Sequence, residues 1–292
     1  MTNLLRAACW MLGAIASFSA MAVAARIVLG DLSAMQLMFY RNILAVGVLL
    51  LCLPVIGMHR LRVRQPLTHL VRHSVHFFAQ YAWFVAIALI PLAQVFALEF
   101  TVPIWSLLFA SVLLGEKITP PRIAAVGFGF LGVLVIVRPG LTTVEFGTVV
   151  MLLGAFAFGI AHTLTRKITL TDSPMSVLVL MNVLQLPMAA AAFAFNTALP
   201  SAQQWPFLTI VALAALAAHY CLTKALSLAP ANIVIPMDFL RLPLIALLAW
   251  WIFQEAVSVW VYAGTALMLL GVWINLNSSE QRGRKVAEKV SL

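Results

Sequence analysis

The chain has 292 residues, of which 63% are apolar and 9% charged, and its mean hydropathy is +1.04. So few polar residues cannot cover a water-facing surface of ordinary composition, which excludes a soluble domain and places the chain in lipid. A net charge of +9 would suit nucleic acid, but the basic residues are spread over short loops instead of one patch, so no nucleic-acid partner is expected.

Crossing a hydrocarbon layer of about 30 Å takes roughly 20 helical residues. Apolar runs of this kind extend over 4–25, 33–57, 70–89, 92–114, 121–138, 146–165, 174–196, 205–227, 231–253 and 257–276. The expected fold is therefore all-α, a polytopic membrane protein with ten transmembrane helices. The first run follows Arg6 and ends in Ala22-Val23-Ala24, as a cleaved secretory leader would. It is read as a retained helix, because residues 12–27 resemble residues 153–168 deep in the chain. Ser33, Thr119-Pro120 and Ser173-Pro174 supply helix starts. The turns at Ile90-Pro91 and Ala229-Pro230 are so short that the flanking helices must be antiparallel neighbours. Pro103, Pro236 and Pro243 fall inside runs four and nine, where each removes a ladder hydrogen bond and disturbs the carbonyl four residues back. Freed carbonyls at membrane depth are tolerated against protein or a wet cavity, so these two helices are expected to bend and to line a path.

The chain is one unit written twice. At an offset of 139, Tyr81 meets Tyr220, Pro91 meets Pro230, Glu99 meets Asp238, Glu116 meets Glu255 and Gly132 meets Gly271. At 140 to 141, Asn42 meets Asn182 and Gly13-Ala14 meets Gly154-Ala155. A unit with five spans enters the bilayer from the opposite side in its second copy, so two inverted five-helix repeats are expected, over 1–140 and 141–277, followed by a basic tail over 278–292. With the N-terminus in the cytoplasm, 14 of the 18 basic residues lie inside and only Arg26 and Arg138 outside, which predicts cytoplasmic termini in an inner (plasma) membrane.

Four charges lie near the midplane: Arg41, Glu99, Asp238 and Arg241. Counted along the helices, they sit roughly 10 to 15 Å from the nearest helix start. An uncompensated charge there costs at least about 2.5 to 3.5 kcal/mol, so all four are expected to face the interior and to pair as a neutral cluster. With His76, Tyr81, Trp105, His219 and Tyr220 they form the candidate substrate site. His73, Gln80, Trp83, Gln94, His162, Asn182 and Gln185 are polar or aromatic neighbours that could equally serve as interhelical glue. Glu99 and Asp238 are candidates for proton coupling, since a carboxylate at this depth can exchange protons with one side at a time. The spacing of His73 and His76 suggests no third ligand, so neither a metal nor another cofactor is expected. Cys9, Cys52 and Cys221 are read as small packing residues.

The segment PLAQVFALEFTVPIWSLLFASVLLGEKITPPRIAAVGFGFLGVLVIVRPG, residues 91–140, resembles the fourth and fifth helices of EamA-like members of the drug/metabolite transporter superfamily, and IFQE at 252–255 echoes its LLGEK. The resemblance implies alternating access by rocking of two halves around a central cavity. It also implies export of amino acids and related metabolites, or import of riboflavin or S-adenosylmethionine. The chain departs from several members at Asp238 and at Glu99, and the acid from each half with Arg41 and Arg241 leans toward a zwitterion. The expected function is thus export of an amino acid or an opine-type metallophore, with riboflavin or S-adenosylmethionine import as the alternative. The expected partners are a small-molecule substrate and the lipid bilayer, with homodimerisation left open. An intramembrane enzyme is the rival class, but no HExxH or GxSxG pattern occurs, and the GxGxxG match from Gly127 to Gly132 lies within a helix and reads as packing. A membrane scaffold without transport is the third reading and predicts no polar midplane cavity.

Overall fold

The computed structural model describes residues 3–57, 61, 63–115, 119–138, 144–193, 199–229, 234, 237–271 and 273–274. They form helices α1 (Asn3–Val28), α2 (Ala34–Ile56), α3 (Pro66–Leu89), α4 (Leu92–Glu99), α5 (Val102–Leu114), α6 (Pro120–Val137), α7 (Phe146–Ile168), α8 (Pro174–Phe193), α9 (Trp205–Leu228), α10 (Arg241–Phe253) and α11 (Val259–Gly271). Among the described residues, six segments are long and apolar enough to cross a membrane: those of α1, α2, α4 with α5, α7, α8 and α9. Helices α6, α10 and α11 contain shorter apolar stretches. Helix α3 has the length, at 24 residues, but spends part of its surface on buried Arg72, His73, His76 and Gln80.

Local chemistry sets the boundaries. Ser33 accepts the Gln36 N–H while the Gln36 side chain accepts the Ser33 N–H, a capping box that starts α2. Ser173 accepts the Ser176 N–H ahead of α8. Proline stands in the first turn of α3, α5, α6 and α9, where its missing N–H costs nothing. The turn at Ile90-Pro91 is as short as expected; Pro230 and Pro236, like the basic tail over 278–292, lie outside the described residues.

Packing follows the repeat. Helix α1 lies along α9, and its repeat equivalent α7 lies along α3; α2 packs on α8, and α4 on α10. Both long pairs are antiparallel. Gln204, just before α9, donates to Asp31, just after α1, at 3.0 Å, and His69 near the start of α3 meets Asp172 just after α7 at 2.9 Å. The polarity is that of a membrane protein: Leu50, Leu51, Val112, Trp250, Trp251 and Trp273 face outward, while Arg41 and Arg241 are among the largest fully buried side chains. Gly129 and Gly132 of the GxGxxG match serve helix contact, whereas Gly127 faces open space. A Cβ on Gly132 would stand 2.6 Å from the Gly264 carbonyl oxygen, so α6 and α11 meet backbone to backbone there. The cysteine reading needs correction: Cys9 and Cys52 are exposed on the outer surface of their helices, and only Cys221 packs inward, against Gly13.

Candidate functional site

The fourth span is interrupted where it was expected to bend, and the described residues of the ninth depart from α-helix at the repeat-equivalent place. α4 stops at Glu99, and α5 begins at Val102 with Pro103 in its first turn. The Thr101 hydroxyl and N–H both donate to the Leu98 carbonyl, at 2.9 and 3.1 Å, which satisfies one backbone group released at the break. On the other side a single 3-10 turn over Asp238–Leu240 leads into α10 at Arg241. Each interruption carries an acidic residue to the middle of the bundle.

Arg241 joins them. Its Nη2 donates to Glu99 Oε1 at 2.7 Å and to Asp238 Oδ2, and its guanidinium lies over the Phe18 and Phe96 rings at 4.9 and 4.6 Å. The second Glu99 oxygen accepts from Trp83 Nε1 at 2.8 Å. Charge-assisted hydrogen bonds and two ring faces offset the desolvation of a cation at this depth.

The three charges border a narrow cavity of about 40 Å³, room for a water or two. Its lining is Phe18, Met21, Gln80, Trp83, Glu99, Phe158, His162, His219, Leu222, Asp238 and Arg241. The offset of 139 relates Gln80 to His219, Trp83 to Leu222 and Glu99 to Asp238; 141 relates Met21 to His162, and Phe18 and Phe158 are one residue out of that register. The cavity therefore sits where the two copies meet. Arg241 is the exception, for its equivalent is Val102.

The neutral four-charge cluster expected from sequence is corrected to three charges, because Arg41 stands apart. It is fully buried on α2, donates to Asn42 at 2.7 Å, and makes no ion pair among the described residues, while its Nε and Nη1 lack partners there. Of the remaining candidates, only His219 lines the cavity. His76 lies behind it, ring to ring at 4.9 Å, and bonds to Gln185 at 3.1 Å. Three aromatic candidates are elsewhere. Trp105 packs between α5 and α7 against Phe156, Tyr220 stands edge-on to Trp10 at 5.7 Å, and Tyr81 is 38% exposed on the outer side of α3. Helix periodicity accounts for the last: Tyr81 follows the inward-facing Gln80 by 100° of rotation. Phe18, Met21, Phe158 and Leu222 carry no polar atom to draw attention, and only the repeat register would have indicated them.

A second polar system occupies one end of α3. Arg72 donates to His73 Nδ1 at 2.9 Å, so His73 carries its proton on Nε2 and donates to His69 Nδ1 at 3.2 Å. His69 in turn donates from Nε2 to Asp172 at 2.9 Å. Arg72 also donates to Thr165 at 2.9 Å. Burial alone would raise the Asp172 pKa, but hydrogen bonds from the Arg64 N–H, His69 and Thr171 outweigh it and hold the carboxyl below its ordinary range. This chain ties α3 to the loop after α7 and lies outside the cavity lining.

Interrupted apolar helices around a small charged cavity are the build of a membrane-embedded carrier. The EamA-like transporter family model matches residues 5–138 and again 145–277, and the chain belongs to that family, within the drug/metabolite transporter superfamily. It is a multi-pass membrane transporter. It is 30% identical over 233 residues to a riboflavin transporter of Rhizobium johnstonii, covering 80% of this chain and 77% of that protein. It is 29% identical over 240 residues to a riboflavin transporter of Brucella anthropi, covering 79% and 84%. An S-adenosylmethionine uptake transporter of Rickettsia conorii is 24% identical over 250 residues, covering 84% of each chain. A protein crystal structure shares the fold with a TM-score of 0.70 over 94% of this chain and 98% of its own, at 16% identity.

Proposed function

We propose that the protein imports a flat heteroaromatic metabolite of the riboflavin class across the inner membrane by alternating access, in a fold of two inverted five-helix repeats. The observation that carries this reading is the pairing of ring faces with unmet polar atoms in one cavity. Phe18, Trp83 and Phe158 line it, and Gln80 Oε1, His162 Nδ1, His219 Nε2, Asp238 Oδ1 and Arg241 Nε have no hydrogen-bond partner among the described residues. Buried polar atoms left unmet cost about 1 to 3 kcal/mol each, so a solute with a hydrogen-bonding edge and an aromatic face gains from meeting them. Similarity to the riboflavin transporters supports the substrate class, and the uptake role of the S-adenosylmethionine relatives supports the direction. Both favour import of such a solute over export of an amino-acid zwitterion. In this reading Glu99, Asp238, Arg241, His219, Gln80 and Trp83 contact the substrate.

Helix directions support the inversion. α1 is antiparallel to α9, α9 ends beside the end of α7, and α7 is the repeat equivalent of α1. A cavity of about 40 Å³ cannot admit riboflavin until the helices part, as alternating access requires. The test is uptake of labelled riboflavin by proteoliposomes. Saturable uptake, competed by riboflavin and not by amino acids, is expected. Flux of S-adenosylmethionine or an amino acid with no riboflavin uptake refutes the substrate class. Collapse of an imposed pH gradient tests Glu99 and Asp238 as proton carriers, and unchanged uptake removes them from that role.

A further inference from the structure

We infer that Arg26 and Arg166 are the latches of two gates, one at each end of the cavity; the inference rests on the carrier reading above. The cavity lies between two antiparallel helix pairs, α1 with α9 and α3 with α7. Met21 and Leu222 face it from the first pair, Trp83 and Phe158 from the second. Admitting a solute from one side means separating the pairs at that end.

Each end is tied across the pairs by one arginine. Arg26 of α1 donates to the carbonyls of Ile87 on α3 and of Ile90 just after it, the latter at 3.1 Å. At the opposite end Arg166 of α7 donates to the Leu226 carbonyl of α9 at 2.9 Å. These are the same tie written twice, since an offset of 140 carries Arg26 to Arg166 and 139 carries Ile87 to Leu226. Ile87 and Leu226 lie in the last turns of their helices, where carbonyls lack intrahelical partners and the helix dipole is negative. A guanidinium satisfies them when the gate is shut, and water can replace it when the end opens. Ordinary caps would bond within a pair that moves as a unit, whereas both of these cross from one pair to the other.

The ends are not equal. Arg26 also pairs with Glu255 at 2.9 Å, and the other Glu255 oxygen accepts the Leu92 N–H at the start of α4 at 2.8 Å. Gln254, with φ of 55°, turns the chain out of α10 and sets Glu255 at this junction. The Arg26 end, external by the distribution of basic residues, thus carries an ionic clasp in addition to the shared tie.

The test needs no substrate, so its failure is distinguishable from failure of the riboflavin assay. Leu222→Cys is placed in a background with Cys9, Cys52 and Cys221 replaced by serine. It is labelled with a membrane-impermeant maleimide in right-side-out and inside-out vesicles. Arg26→Gln is expected to raise labelling from the outside by roughly 5- to 30-fold, the population change for loss of one charge-assisted tie, and Arg166→Gln to do so from the inside. Glu255→Gln keeps the volume of the side chain and leaves Arg26 on its carbonyls, so it gives a smaller rise from the same face as Arg26→Gln. It serves as the measurement should Arg26→Gln fail to insert. Equal rises from both faces, a rise from the same face for both arginine variants, or no change in a variant that inserts overturns the assignment.

Discussion

Replacing Arg241 with glutamine isolates the electrostatics of the central cluster. Arg241 holds Glu99 at 2.7 Å and Asp238 as a second partner, with its face on Phe18 and Phe96. Without it two carboxylates remain inside the bundle with no counter-charge. Removing one partner of a buried pair costs about 3 to 5 kcal/mol, and the lost ring contacts add about 1 kcal/mol. Separation of the two side chains in the variant returns part of this, which sets the expected loss near 4 kcal/mol. At about 2 °C per kcal/mol for a chain of this size, thermal unfolding in detergent should fall by roughly 8 °C, with the proposed uptake abolished. The decisive control is Arg241→Gln with Glu99→Gln and Asp238→Asn. Neutralising all three removes the uncompensated charge, so stability should return to within about 1 kcal/mol of the parent while uptake stays absent. A triple variant as unstable as the single one would show that Arg241 acts by packing and would refute the charge argument.

Arg41→Met should give the opposite result in stability, because Arg41 bears a desolvation cost with no ionic partner among the described residues: unfolding should be unchanged or shifted up by about 1 to 3 kcal/mol. Asp172→Asn should cost about 1 to 3 kcal/mol at pH 7. The folded carboxyl titrates below its unfolded value of about 3.9, so its stabilisation is complete above that pH and lost as the pH falls through the lower folded value; unfolding measured between pH 3 and 7 should show this acid limb in the parent and not in the variant. Gly132→Val should destabilise by about 3 kcal/mol or more, since its new carbon would meet the backbone of Gly264, whereas Gly127→Ala, in open space, should be silent in the same measurement.

The sequence made the membrane class, the duplication and the charged positions on spans four and nine legible, because each follows from composition or register and needs no tertiary geometry. The consequence of Pro103 was also readable, since a missing N–H acts within one helical turn, and α4 indeed stops at Glu99. What escaped was the side of a helix. Tyr81 and Tyr220 stand out chemically, yet they sit one position past Gln80 and His219, and that step turns a side chain out of the cavity. Arg41 escaped for a different reason: charge balance counts residues, but pairing needs distance, and α2 packs on α8 and α9 instead of on the broken helices. The Arg72–His73–His69–Asp172 chain was missed because Asp172 lies about 100 residues from its histidine partner, in a loop that carries no motif.

The single asymmetric residue of the cavity follows from the symmetry of the rest. Duplication places Glu99 and its equivalent Asp238 around one small space, where two like charges repel with little water to screen them. One guanidinium between them satisfies both, as Arg241 does with a single Nη2. A second arginine at the equivalent position would restore the repeat but bring two cations and two anions into room for a water or two. That position is Val102, buried at the start of α5 beside the break, where an apolar side chain carries no further desolvation cost. Divergence of the two copies at this pair of positions thus follows from the small room available and the desolvation cost of a second cation, while the cavity walls around it keep their register.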